Sequence, residues 1–180
     1  TAAKYDLKQY SDEEMEQANV HFGLDILKLS QKFKVGSFFN FDSALDSDIN
    51  RYTKTKQRFL GLVHQNLEQM KFINLRLQYF YGPGDGKFID SMTHRMLKNE
   101  KRISTPPGKQ VRDMIYIDDM VNAIDLIIKN RMQIMAPLFA IEIGSGTGES
   151  LENILLAIRE LTQSTSELGL GDLPYRENES

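Results

Sequence analysis

The 180 residues contain no cysteine and no tryptophan. Without thiols there is no disulfide framework, no thiolate nucleophile and no cysteine-based metal site. The composition suits a reducing compartment, so a cytoplasmic protein is expected. No apolar run approaches the roughly 20 residues that cross a bilayer, and the opening residues do not read as a signal peptide; no membrane partner is expected. An excess of one charge is also missing. Lys and Arg number 22 against 25 Asp and Glu, a net charge of -3, which offers no electrostatic footprint for nucleic acid. What remains is an ordinary globular balance, 41% hydrophobic and 26% charged, in a chain long enough to bury a core without a metal staple.

The hydrophobic pattern alternates helices with strands. Ser11 and Glu14 form a candidate capping box before a helix over about 12–34. Met15, Ala18, Phe22, Ile26, Leu29 and Phe33 recur every three or four residues, which predicts its buried face. Phe38, Phe39 and Phe41 mark a strand, residues 42–50 a polar loop, and Tyr52, Phe59, Leu62 and Val63 a second helix. Ile73, Leu75, Leu77 and Tyr79 alternate as a strand before the turn Tyr81-Gly82-Pro83-Gly84-Asp85. A helix over 88–98, a Pro-Pro-Gly loop at 106–108, a strand at 114–117, a helix to about Asn130, a strand through Phe139, Ile141 and Ile143, and a last helix from Leu151 follow. This order predicts an α/β protein with a mainly parallel sheet.

Tyr52 and Lys56 are the first chemical signal. At i and i+4 on a helix they share a face. An ammonium beside a phenol favours the phenolate, so the pair is expected to lower the Tyr52 pKa towards the working pH and make it a general acid or base. The spacing alone is common, and a solvated helix face explains it equally well. Ser43, following the preceding strand and just before the helix, adds a hydroxyl that could orient a substrate oxygen.

The order of Ser43, Tyr52-x-x-x-Lys56, Leu75-Arg76-Leu77, Tyr81-Gly82-Pro83-Gly84-Asp85, Arg112-Asp113 and Ile143-Gly144-Ser145-Gly146-Thr147-Gly148 resembles the extended short-chain dehydrogenases, the NAD-dependent epimerase/dehydratase family. The stretch from Asn40 to Asp46, with eight residues between Ser43 and Tyr52, looks most like the CDP-abequose synthase group of 4-ketosugar reductases. The resemblance implies a Rossmann-type parallel sheet with a smaller substrate-binding part: residues 1–80 in the dinucleotide-binding domain, 81–180 mainly substrate-binding, and 109–130 returning to the sheet. It implies NADP or NAD as cofactor, a nucleotide-sugar substrate and a homodimer.

Carried over by position, Ser43 and Tyr52 would contact the sugar oxygen undergoing redox, and Lys56 the nicotinamide ribose. Ala2 and Ala3 match the strand end beneath the cofactor. Asn19 matches an asparagine near the cofactor, or is a helix residue bonded to a neighbouring strand. Tyr79 stands at a substrate position where epimerases often carry asparagine. Arg112 and Arg176 match arginines that hold the substrate diphosphate, a role their bidentate fork suits; as single residues both also read as surface ion-pair partners.

Ala44 and Leu45 occupy the places where 4,6-dehydratases carry an Asp-Glu pair, and neither side chain transfers protons, so dehydration is not expected. The expected activity is reduction of a nucleotide-linked 4-keto-6-deoxysugar. The alternatives are a nucleotide-sugar 4-epimerase and a non-catalytic dinucleotide-binding regulator. Gly144-Ser145-Gly146-Thr147-Gly148 looks like a phosphate-binding loop, but its third glycine position falls on Glu149, a carboxylate that would face the pyrophosphate. It is expected to be a tight turn instead. No glycine-rich fingerprint precedes Ser43, and the opening residues match the end of the family's fourth strand, so further strands with their helices are expected before Thr1.

Overall fold

A computed structural model describes residues 3–5, 9–45 and 50–175. They form two compact units, Thr1–Gln78 with Asp125–Ile143, and Tyr79–Ile124 with Gly144–Ser180. Ala2 and Arg176 lie outside the described residues.

The first unit is built on three parallel strands in the order β1 (Ser37–Ser43), β2 (Lys71–Leu77) and β6 (Leu138–Ile143). β2 is central, and its Phe72, Ile73 and Leu75 are fully buried, as a parallel strand covered on both faces requires. The helical run before β1 opens with the expected capping box: Ser11 Oγ accepts from Glu14 N at 3.1 Å, and Glu14 Oε2 from Ser11 N at 2.9 Å. It comprises α1 (Asp12–Glu16), a π-helical turn (Gln17–His21) and α2 (Phe22–Lys32).

That π turn overturns the expected buried face. The inserted residue rotates everything after it, so the core sequence is Met15, then Val20 five residues on, then Leu24 and Leu27. Phe22, Ile26, Leu29 and Phe33, the stripe expected inside, point to solvent; Phe33 is 74% exposed. Val20, Leu24 and Leu27 pack with Phe59 and Val63 of α3 (Arg51–Asn66), and with Met70 and Phe72. Phe38 stacks on Phe72 at 5.5 Å, and Phe59 meets Phe72 at 6.2 Å; such ring pairs add about 0.5–1.5 kcal/mol each beyond their burial. A Cβ on Gly23 would stand 2.7 Å from the Phe59 ring, so glycine is what lets α2 approach α3.

The second unit carries β3 (Tyr79–Tyr81), α4 (Phe88–Leu97), β4 (Arg102–Thr105), β5 (Val111–Tyr116), β7 (Gly148–Ser150), α6 (Leu151–Leu161) and β8 (Glu167–Leu170). β5 pairs with β3 in parallel and with β7 antiparallel, and β4 pairs with β8. The chain returns to the first sheet at β6; the strand within 109–130, β5, pairs elsewhere. The sequence pattern missed β4 and β8 because each has four residues, too few for period-two alternation to register. Between the units runs α5 (Ile117–Asn130), which starts in the second and ends in the first. Among the described residues, no helix is long and apolar enough to cross a membrane.

Candidate active site

Parallel strands leave their carboxyl ends open to a ligand, and β1 ends on Ser43. The Ser43 Oγ accepts from Leu45 N at 3.1 Å, and a hydroxyl that accepts can still donate to a substrate oxygen. α3 begins at an Asn50 N-cap whose side chain accepts from Thr53 N at 3.0 Å, so Tyr52 sits in the first turn. Lys56 follows one turn later. Its ammonium donates to the Phe41 carbonyl at 2.7 Å and lies 5.7 Å from the Tyr52 ring centroid. The helix and the end of β1 thus bring the pair to one place.

The electrostatics differ from the expectation. Burial pushes the Tyr52 phenol above its ordinary value, and the Asp42 carboxylate and Tyr5 act in the same direction. Burial also pulls Lys56 down, with Asp42 opposing it. Burial therefore weighs more on the Tyr52 phenol than the neighbouring ammonium does, and one Lys56 N–H is spent on the Phe41 carbonyl.

Asn19 is 7% exposed and its amide is fully engaged. Oδ1 accepts from Lys4 N at 2.7 Å, while Nδ2 donates to Lys4 O at 2.9 Å and to Thr55 Oγ1 at 3.0 Å. Thr55 Oγ1 in turn donates to the Tyr52 carbonyl at 2.8 Å. The π turn therefore latches the segment 3–5 to the first turns of α3. Ala3, in that segment, is exposed and irregular. Two neighbours of the pair escaped the sequence reading. Tyr5 lies with its ring 5.2 Å from Tyr52, in a segment without periodicity to mark it. Asp42 is a 5% exposed carboxylate on the strand face shared by Phe38 and Asn40. A charge on the inward face of an apolar strand was its available signal.

In the second unit, Arg112 on β5 sets its guanidinium 5.4 Å from the Tyr79 ring centroid, and its Nη1 donates to Val111 O at 2.8 Å. The glycine loop after β6 is closed by a carboxylate of the chain itself. Asp113 Oδ1 accepts from Ser145 N and Ser145 Oγ at 2.7 Å each, and Oδ2 from Gly146 N at 3.0 Å. Amides that would cradle a phosphate are already taken, and Gly146, at φ 79°, provides the left-handed turn. Tyr175 accepts at its hydroxyl from Lys109 N at 3.2 Å. Among the described residues, no group of His, Asp and Glu could hold a metal ion.

Comparison with known proteins agrees with this layout. The model of the NAD dependent epimerase/dehydratase family matches residues 2–141. The CDP-abequose synthase of Salmonella typhimurium is 34% identical, with 99% of this chain and 63% of that protein covered. A UDP-galactose 4-epimerase structure superposes at a TM-score of 0.75 and 18% identity, covering 97% of this chain and 65% of the other. A Bordetella bronchiseptica enzyme in complex with NAD does so at 0.75 and 18%, covering 99% and 59%. The chain thus spans under two thirds of the length of each of these proteins.

Proposed function

Since this chain belongs to the NAD dependent epimerase/dehydratase family, we propose that it carries the catalytic Ser43, Tyr52 and Lys56 of an NAD(P)-dependent reductase of a nucleotide-linked 4-keto-6-deoxysugar. The observation that carries this reading is the placement of Tyr52 and Lys56 on the first turns of α3, with the Lys56 ammonium at the Phe41 carbonyl, two residues before Ser43 at the end of β1. Reduction of a ketone needs an acid at the carbonyl oxygen, and a positioned tyrosine phenol can supply that proton. Similarity to the Salmonella CDP-abequose synthase supports the nucleotide-sugar class.

The donor set at the end of β1 fits a nicotinamide cofactor. Lys56 has three N–H donors, of which the Phe41 carbonyl takes one, and the others suit ribose hydroxyls. A bound NAD(P)H supplies the hydride for sugar carbon 4. Tyr52 gives its proton to the oxygen of that carbon as the carbonyl becomes a hydroxyl, and Ser43 orients the oxygen by donating to it. Lys56 holds the ribose and keeps positive charge beneath the phenolate left behind. Asn19 maintains the segment 3–5. Arg112, with Arg176, binds the nucleotide diphosphate, and Tyr79 contacts the substrate. Ala44 and Leu45 offer no proton carrier, which removes dehydration.

The exposed stripe of Phe22, Ile26, Leu29 and Phe33 on α2 supports a homodimer, since a second copy would cover apolar surface that this unit leaves in water. Incubating the full-length protein with NADPH and a panel of nucleotide 4-ketosugars tests the activity. Stoichiometric NADPH consumption with one of them is expected. Substrate turnover without net consumption would show an epimerase, and binding without turnover a regulator.

A further inference from the structure

Asp42 precedes Ser43 on β1 and faces the same way as Asn40, towards α3. Its two carboxylate oxygens have separate tasks. Oδ1 accepts from Ser43 N at 2.9 Å, and Oδ2 accepts from Asn74 Nδ2 at 3.0 Å. Asn74, itself buried, has its Oδ1 occupied by Asn40 Nδ2 at 2.7 Å. Asn40 and Asn74 are register partners on β1 and β2, so the sheet itself sets this chain of bonds. A carboxylate at 5% exposure is expensive to desolvate unless an opposite charge faces it. The Lys56 ammonium lies within reach of its charge without forming an ion pair with it: the ammonium is pinned to the carbonyl of Phe41, the residue before Asp42.

We propose that Asp42 is a positioning residue of this site: its buried carboxylate, locked by Ser43 N–H and Asn74, is the fixed counter-charge that holds the Lys56 ammonium at the Phe41 carbonyl beneath Tyr52. The proposal rests on the reading of Tyr52 and Lys56 as the catalytic pair. It explains why a strand otherwise rich in phenylalanine carries Asn40 and Asp42 on its inward face. The charge of Asp42 acts on both members of the pair, raising the proton affinity of Lys56 against the pull of burial and adding to that of Tyr52. One carboxylate thereby strengthens the hold of both groups on their protons.

Among the described residues, the other charged and titratable groups around Asp42 are these. From α3 come Tyr52 and Lys56. Tyr5 reaches Tyr52 from the segment 3–5. From β2, Arg76 is the register partner of Asp42, and its guanidinium contacts the Ala44 carbonyl and Glu142.

The test is Asp42→Asn in the full-length protein, an isosteric change that keeps an acceptor for Ser43 N and removes the charge. The titration of Lys56 is followed by 15N-lysine NMR, assigned with Lys56→Arg, and kcat by NADPH oxidation across pH. The Lys56 midpoint is expected to move to lower pH, the alkaline limb of kcat to move with it, and kcat at pH 8 to fall about tenfold or more, as for outer partners of other sites. KM for the nucleotide sugar stays near its original value. A Lys56 midpoint that stays put, or rises, overturns the proposal, even if the variant is less stable. If Asp42→Asn does not fold, Asn74→Ser, which removes the donor to Oδ2 and frees the carboxylate to turn, is expected to shift the Lys56 midpoint as well; an unmoved midpoint there overturns it. Full activity of Tyr52→Phe would instead sink the underlying pair, so the two failures are distinguishable.

Discussion

Two charged pairs, one in each unit, depart from ordinary proton affinity for opposite reasons. Tyr52 and Lys56 are displaced mainly by burial, which makes the phenol a weaker acid and the ammonium a stronger one. Arg102 and Asp172 are displaced by each other: Arg102 Nε and Nη2 meet the two carboxylate oxygens at 2.8 and 2.9 Å, Ser104 Oγ adds a bond to Asp172, and Glu167 contacts Arg102. The guanidinium is raised and the carboxylate lowered by hydrogen bonding in an exposed position. An exposed, mutually satisfied pair ties β4 to the turn after β8 and has no charge in reserve for a ligand. A desolvated pair under the charge of a buried carboxylate has proton affinities that a ligand can still shift.

The strongest way to sharpen this contrast is Tyr52→Phe. Loss of the proton donor is expected to lower kcat by about 10²–10⁴-fold with substrate affinity nearly unchanged, read by single-turnover kinetics and titration. Retention of more than half the activity would erase the distinction between the two pairs. Arg112→Ala comes next. Removing one charge-assisted contact to the diphosphate should weaken binding of the nucleoside diphosphate alone by roughly ten- to a hundredfold, measured by calorimetry. Equal affinity in variant and parent would remove Arg112 from the diphosphate site.

A third substitution probes a surface outside both pairs. Ile26→Glu with Leu29→Glu places two carboxylates in the exposed stripe of α2, and light scattering should then show a monomer where the parent is a dimer. A parent that is monomeric at micromolar concentration refutes the dimer directly. The smallest effect belongs to Arg102→Ala, which should leave kcat, KM and the alkaline limb of the pH profile unchanged. Because Asp172 is held below its ordinary value, whatever it adds to stability is present above that value and lost as pH falls through its folded-state pKa. The stabilities of parent and variant, read from denaturant unfolding at several pH values, should therefore converge at low pH, and a difference that widened there would contradict the pairing.

Local pattern alone determined much of this protein. Ser11 and Glu14 announced the first helix, because a capping box is complete within four residues. The alternation of helices and strands announced a parallel α/β sheet. The i,i+4 spacing of Tyr52 and Lys56 set both on one side of α3, because a helix converts spacing into a shared face. Glu149 in the glycine loop spoke against phosphate binding there, and the carboxylate of Asp113 turned out to fill its amides. What depended on distant partners was decided only by tertiary structure. The buried face of α2 passed from Phe22, Ile26, Leu29 and Phe33 to Val20, Leu24 and Leu27 because one π turn rotates the helix, and periodicity cannot show an insertion that the backbone absorbs. The proton affinities of Tyr52 and Lys56 were set by the burial of both side chains, which spacing does not show. Asp42 gained its place through Asn74 on the neighbouring strand, 32 residues away. Spacing along a chain specifies which face a side chain shares; desolvation, and which charges share it, arise only when separate segments close over it.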